Sequence, residues 1–109
     1  MSDVVNVVEK RENWNDFFAE VVDETLKQIF RDDGAKVIYE FLEKHSRLKL
    51  EDVAEKPEVF SASLKRLMVS AARVIEQMIL KNLYSRLGLK FEEKNGYEFS
   101  DYLRELREE

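Results

Sequence analysis

The chain has 109 residues and a mass of 13.0 kDa, which is the size of one domain. Hydrophobic residues make up 44% and charged residues 38%, with a net charge of −5, as expected for a folded domain with a highly charged surface. The absence of cysteine excludes disulfides and thiolate chemistry, the single histidine excludes a multi-histidine metal centre, and three glycines leave no room for a phosphate-binding glycine loop.

Residues 1–12 carry no clear pattern, and we interpret them as an N-terminal arm ahead of a single helical domain over residues 13–109. From residue 14 to residue 30, apolar side chains recur at helical spacing and predict helix one. Residues 31–34 (RDDG) break this pattern and predict a turn. Helix two follows over residues 33–46, with Val37, Ile38, Phe41 and Leu42 as its apolar stripe.

A short segment over residues 50–56 leads to Pro57, which suits the first turn of a helix and predicts that helix three begins there. The next stretch, residues 69–87, is rich in Leu and Ile. On a helical wheel we place Ile75 and Ile79 on one side and Leu80 and Leu83 on the opposite side. A helix that is apolar around most of its circumference is either central or packed against another chain. Gly88 is placed to cap its C-terminus.

Asn95 and Gly96 lie between alternating residues and predict a β-hairpin. A three-residue loop over residues 94–96 puts Leu89, Phe91, Tyr97 and Phe99 on one face, which we expect to dock on the helices. Ser100 would cap a last helix over residues 101–107. The predicted fold is mainly α: a compact helical bundle of about five helices with a C-terminal β-hairpin and a short terminal helix.

Five stretches carry a resemblance to a known family: residues 35–43 (AKVIYEFLE), 48–57 (LKLEDVAEKP), 72–76 (ARVIE), 83–91 (LYSRLGLKF) and 97–102 (YEFSDY). Together they make residues 20–105 resemble a family of small archaeal domains of uncharacterised function, the Nitrosopumilus-type output domain. The resemblance implies an archaeal source and a role in signalling or regulation. It implies no catalytic motif.

No apolar run approaches 18 residues and the N-terminus lacks a basic start, so we expect neither a membrane span nor a signal peptide, and a cytoplasmic location. Ten lysines and sixteen glutamates beside two glutamines are typical of chains from hot environments, and equally of an ordinary helical surface.

The single histidine, His45, lies near the end of helix two, where the helix dipole favours a cation, and no nucleophile is marked beside it. Glu40, Glu43 and Asp52 could surround a metal with His45, but Glu43 and His45 are two residues apart and diverge on a helix. We therefore expect no catalytic, cofactor or metal site and no cofactor. A cofactor-free acid–base catalyst using His45 or a carboxylate pair is the enzymatic alternative.

Charge is unevenly distributed: residues 61–90 carry six basic side chains against one acidic side chain. This block either pairs with acidic helices or forms an anion or nucleic-acid face, for which the candidates are Lys65, Arg66, Arg73 and Lys81. The surplus apolar surface of residues 69–87 predicts a homodimer, with a candidate interface of Ile79, Leu80, Leu83, Tyr84 and Leu87.

These patterns favour a non-enzymatic regulatory or protein–protein interaction module, a homodimer with an unknown protein partner. The alternative is an acidic, helix-turn-helix-like DNA-binding transcriptional regulator that uses Lys65, Arg66 and Arg73.

Overall fold

The computed structural model describes the backbone of residues 3–108 and the side chains of residues 13–107. Four helices run along this part of the chain: α1 (Asp3–Ser46), α2 (Pro57–Leu67), α3 (Ala72–Arg86) and α4 (Phe99–Glu108), with a 3-10 helix (Leu50–Asp52) after α1. The mainly helical prediction is confirmed, whereas the prediction of about five helices is wrong because helices one and two both belong to α1. Of the N-terminal arm, the backbone from Asp3 is part of α1 and the rest lies outside the described residues.

A break at Arg31 divides α1 into two arms. The backbone there has φ 61° and ψ −175°, which is not helical. The Tyr39 hydroxyl donates to Asp23 Oδ1 at 2.5 Å, although these residues are 16 apart and a straight helix would separate them by about 24 Å. The second arm therefore folds back towards the first at the turn that the sequence predicts. Gly34 permits the close return, because a Cβ there would stand 2.5 Å from Cβ of Phe30.

The helices share one core, to which each contributes an apolar face. The first arm of α1 buries Phe18, Val21, Val22 and Leu26, and the second buries Ala35, Ile38 and Leu42. The ring of Phe99, from α4, lies 6.1 Å from that of Phe18 and 5.8 Å from that of Phe60 on α2. This aromatic contact joins the first, second and fourth helices. Among the described residues, no helix has the length and apolar character needed to cross a bilayer.

The link between α1 and α2 follows local backbone rules. Arg47 has a φ of 51° and its N–H donates to the Glu43 carbonyl at 3.0 Å, which is the left-handed cap that ends a helix. Leu48 then turns into the core and is 2% exposed. Pro57 is the first residue of α2, as predicted, because a first-turn proline needs no N–H partner.

The sequence-based description of α3 is partly wrong. Its buried residues are Ala72, Ile75, Glu76, Ile79, Leu80, Leu83 and Tyr84. At 100° per residue these positions fall within about one half of the helical wheel, so Ile79 and Leu80 adjoin instead of facing opposite ways. On the other half, Val74 is 56% exposed and Met78 37% exposed. The helix thus packs into the core with one face and exposes the other face to solvent.

Gly88 caps α3 as predicted. Its φ is 72°, its N–H donates to the Ser85 carbonyl at 3.1 Å, and the Leu89 N–H donates to the Tyr84 carbonyl at 2.8 Å. These two bonds are those of a Schellman motif, in which glycine accepts a left-handed conformation without side-chain strain.

The predicted β-hairpin is wrong, since residues 3–108 contain no strand. Residues 94–97 form a turn with Gly96 at φ 80°, as the asparagine–glycine pair suggested, but Phe99 belongs to α4. Helical spacing brings Phe99, Tyr102 and Leu103 onto one buried face, whereas a lone two-stranded hairpin has little stability of its own. The cap also differs from the prediction: Asp101 Oδ2, not Ser100, accepts the Glu98 N–H at 2.8 Å.

Candidate functional site

A cleft with a volume of about 440 Å³ lies where α2, α3 and α4 meet. The chain between α3 and α4, residues 87–98, forms one wall; we call it the covering segment. The polar lining comprises Lys65, Arg73, Glu76, Gln77, Glu93 and Glu98. The apolar and aromatic lining comprises Leu80, Phe91, Tyr97, Phe99 and Tyr102. The volume falls in the range of ligand sites, and the lining is more polar than most of them because charged and aromatic side chains contribute about equally.

Glu76 is the buried charge of this cleft. It follows Ile75 on the inward face of α3 and is 8% exposed. Its Oε2 accepts a hydrogen bond from the hydroxyl of Ser61 on α2. Burial raises the pKa of the Glu76 carboxyl, and the nearby Glu98 carboxylate adds to the rise, while Ser61 and Lys65 oppose it.

The covering segment is anchored to α3 through Glu93. Its Oε1 accepts a hydrogen bond from Arg73 Nη2 at 3.1 Å and another from Gln77 Nε2 at 3.0 Å. Arg73 and Gln77 are four residues apart and therefore neighbours on the helix surface. The charge of Arg73 is thus already paired with the covering segment.

The covering segment is also fastened to α4. The Lys94 N–H donates to the Tyr102 hydroxyl at 2.8 Å, and Lys94 Nζ lies 2.6 Å from Glu105 Oε1. The Tyr97 hydroxyl donates to Glu105 Oε2 at 2.6 Å. Hydrogen bonds from Lys94 and Tyr97 lower the pKa of Glu105. Glu93, Lys94 and Tyr97 therefore hold the second half of this irregular segment against α3 and α4.

Aromatic rings from the covering segment and from α4 form one side of the cleft. The ring centroid of Phe91 lies 5.2 Å from that of Tyr84 and 5.4 Å from that of Tyr102, and Tyr97 lies 5.0 Å from Tyr102. Such separations are those of favourable offset and edge-to-face pairs. Sequence reasoning grouped Phe91 and Tyr97 correctly but through a β-ribbon that does not exist.

The structure places the residues predicted for an anion or nucleic-acid face in more than one region. Lys65 and Arg73 both line the cleft, together with carboxylates. Arg66 follows Lys65 on α2 and so points about 100° away from it, and Lys81 is exposed on α3. The other suggestion, pairing with acidic helices, holds for Arg86, which contacts Glu24 and lies 3.6 Å from Glu20.

The residues predicted for a dimer interface lie mostly inside the subunit. Ile79 and Leu83 are fully buried, Leu80 is 2% exposed and Tyr84 is 9% exposed, while Leu87 remains 39% exposed. The helices of the same chain cover four of the five side chains, so these residues do not form a free interface. The large apolar side chains of residues 69–87 that remain exposed are Val69, Val74, Met78 and Leu87. The error comes from placing Ile79 and Leu80 on opposite sides of α3.

His45 lies away from the cleft, at the end of α1. It is exposed, and its ring centroid is 4.3 Å from that of Phe41. Among the described residues there is no group of three or more acidic or histidine side chains that could hold a metal ion.

Sequence reasoning missed Glu76 and its partner Ser61. A signal for Glu76 was present: it is the single acidic side chain between residues 61 and 90, and it stands at the spacing of the buried residues of α3. Comparison of the chain with protein-family models, with curated proteins and with solved structures finds no match. The resemblance to the Nitrosopumilus-type output domain therefore stays a prediction.

Proposed function

We propose that this chain is a non-enzymatic regulatory module that binds its partner through the cleft between α3, α4 and the covering segment. The observation that carries the proposal is Glu76: a carboxylate that is 8% exposed, next to aromatic walls, in a cleft of about 440 Å³. Burying a charge is costly unless something compensates it, and such groups mark binding sites.

The arrangement of the charged groups supports binding over catalysis. Arg73 and Glu93 hold each other, and Ser61 is engaged with Glu76, so these groups position the walls of the cleft. The only histidine, His45, is elsewhere, with its ring tilted against that of Phe41. A proton-transfer site needs an acid and a base within reach of one substrate atom, and among the described residues Glu76 is hydrogen-bonded to the Ser61 hydroxyl alone.

The same geometry favours a protein or a small molecule over nucleic acid. Lys65 and Arg73 share the cleft with Glu76, Glu93 and Glu98. Phosphate backbones are bound by basic surfaces, and three carboxylates in the same cleft oppose them.

Site-specific photo-crosslinking in the native cell tests the proposal. A photoreactive amino acid at Gln77 or Glu98, in the cleft, is expected to give a defined adduct. The same probe at Lys36 or Lys81, both exposed and outside the cleft lining, is the control. Adducts from the control positions alone, or the same adducts from all four positions, would contradict the proposal.

A further inference from the structure

We propose that the cleft accepts a primary ammonium group on a short apolar stem and that Glu76 is the residue that binds it. This assignment rests on the proposed function and adds the chemical class of the group bound. The ammonium can belong to a small amine or to a lysine side chain of a partner protein.

The first argument is the hydrogen bonding of Glu76. Its Oε2 is taken by Ser61, and its Oε1 has no hydrogen-bond partner among the described residues. A serine hydroxyl supplies a proton donor but no compensating charge. An ammonium supplies both, and hydrogen bonds between ions are the stronger kind.

The second argument is the balance of charge in the cleft. Lys65 and Glu98 act on the charge of Glu76 in opposite senses, and no basic group of the described residues lies within ion-pair distance of its carboxylate. Arg73 Nη2 forms an ion pair with Glu93 Oε1 at 3.1 Å. Lys65 is the remaining basic side chain of the lining, so the carboxylates outnumber the available cations. A cationic guest is therefore favoured over an anionic one.

The third argument is the aromatic wall. Phe91, Tyr97 and Tyr102 offer ring surfaces within the same cleft as Glu76. Ring faces attract cations and cover apolar stems. Lys94 Nζ lies 5.0 Å from the ring centroid of Tyr97, so one of the lining rings already has a cation beside it.

Titration of the full chain, followed by NMR and calorimetry, tests the assignment. The probes are phenethylamine, 3-phenylpropionate and 2-phenylethanol, which share a stem and differ in charge. A second pair, a capped lysine peptide and its norleucine counterpart, distinguishes a protein side chain from a free amine. Only the ammonium probes are expected to bind and to shift the resonances of Phe91 and Tyr97.

Two variants make the test specific. Glu76→Gln keeps the shape and the Ser61 contact and is expected to weaken ammonium binding about tenfold or more. Glu92→Gln removes the same charge from an exposed position of the covering segment that does not line the cleft, and is expected to leave binding unchanged. Circular dichroism of each variant is the check that it is folded.

The assignment is overturned if the carboxylate or the alcohol binds as tightly as the amine, or if Glu76→Gln and Glu92→Gln behave alike. If crosslinking remains confined to the cleft while no ammonium probe binds, the ligand class is wrong and the proposed function stands. If crosslinking is not confined to the cleft, the proposed function itself fails.

Discussion

The hydrogen bond between Tyr39 and Asp23 links the two arms of α1, which also share the apolar core. Asp23 also lies 2.9 Å from Lys27 Nζ. Burial alone would raise the pKa of Asp23, but the bonds from Tyr39 and Lys27 outweigh it, and the pKa lies below its usual value. The folded state therefore favours the ionised form of Asp23 over the protonated form.

Replacing Tyr39 by phenylalanine removes the donor and leaves the carboxylate half-buried. We expect the free energy of unfolding at pH 7 to fall by about 1–3 kcal/mol. Because the pKa of Asp23 is lower in the folded state, its contribution is present above the unfolded pKa and is lost as the pH falls through the folded pKa. Urea unfolding at pH 7 and pH 3 should show the difference in unfolding free energy between wild type and variant shrinking in acid.

The pKa of Glu76 is shifted in the opposite direction to that of Asp23, so its effect on stability has the opposite pH dependence. Because burial raises its pKa, its contribution to stability is complete below the unfolded pKa and is lost as the pH rises through the folded pKa. Glu76→Gln should therefore unfold at higher urea concentration than the wild type at pH 7, and the gain should vanish near pH 3. A less stable variant at pH 7 would show that the carboxylate is better compensated than its contacts indicate.

At the scale of the element, the break in α1 has a strained backbone at Arg31 and no room for a side chain at Gly34. Arg31 combines φ 61° with ψ −175°, a conformation that is almost confined to glycine and costs other residues about 1–3 kcal/mol. At Gly34 the glycine is required, because a Cβ on any other residue would clash with Cβ of Phe30.

We therefore expect Arg31→Gly to stabilise the protein by about 1 kcal/mol, since relief of strain exceeds the entropy that a glycine loses on folding. Gly34→Ala should destabilise it by about 1–3 kcal/mol, since Cβ of Phe30 cannot swing aside as the end of a long side chain could. Thermal and urea unfolding of the two variants, which should move in opposite directions, check this pair. A shift in the same direction would contradict it.

Helical periodicity was enough to predict the faces of α1, the start of α2 at Pro57 and the cap at Gly88, because these follow from local backbone rules. The hairpin failed because alternation over residues 89–99 and helical spacing from Phe99 onwards compete for the same side chains. Tertiary contacts decide between them: the Phe99 ring packs against Phe18 and Phe60, which are far away in sequence. The cleft could not be predicted for the same reason, since Ser61 meets Glu76 only once α2 and α3 have packed.

At the scale of the whole molecule, α3 belongs to the interior of one subunit. Leu83→Glu places a charge where the side chain is fully buried, and we expect loss of cooperative unfolding or of folding altogether. Val74→Glu, on the same helix but 56% exposed, should change the unfolding free energy by no more than about 0.5 kcal/mol.

Sedimentation of the wild type is expected to give a mass of 13.0 kDa, because the side chains once assigned to a dimer interface are used within the chain. A folded Leu83→Glu monomer derived from a wild-type dimer would restore the original interpretation. Val74→Glu is the control for Leu83→Glu, because it adds the same charge to the same helix at an exposed position.

The covering segment has a further consequence for how the cleft opens. Between residues 90 and 93 the backbone N–H groups donate no hydrogen bond within the described structure, whereas Ile79 lies in the middle of a helix. Deuterium should replace the amide protons of residues 90–93 within seconds and that of Ile79 only on global unfolding. One wall of the cleft can then detach while the scaffold stays intact, and a bound guest would be detected as slower exchange along this wall.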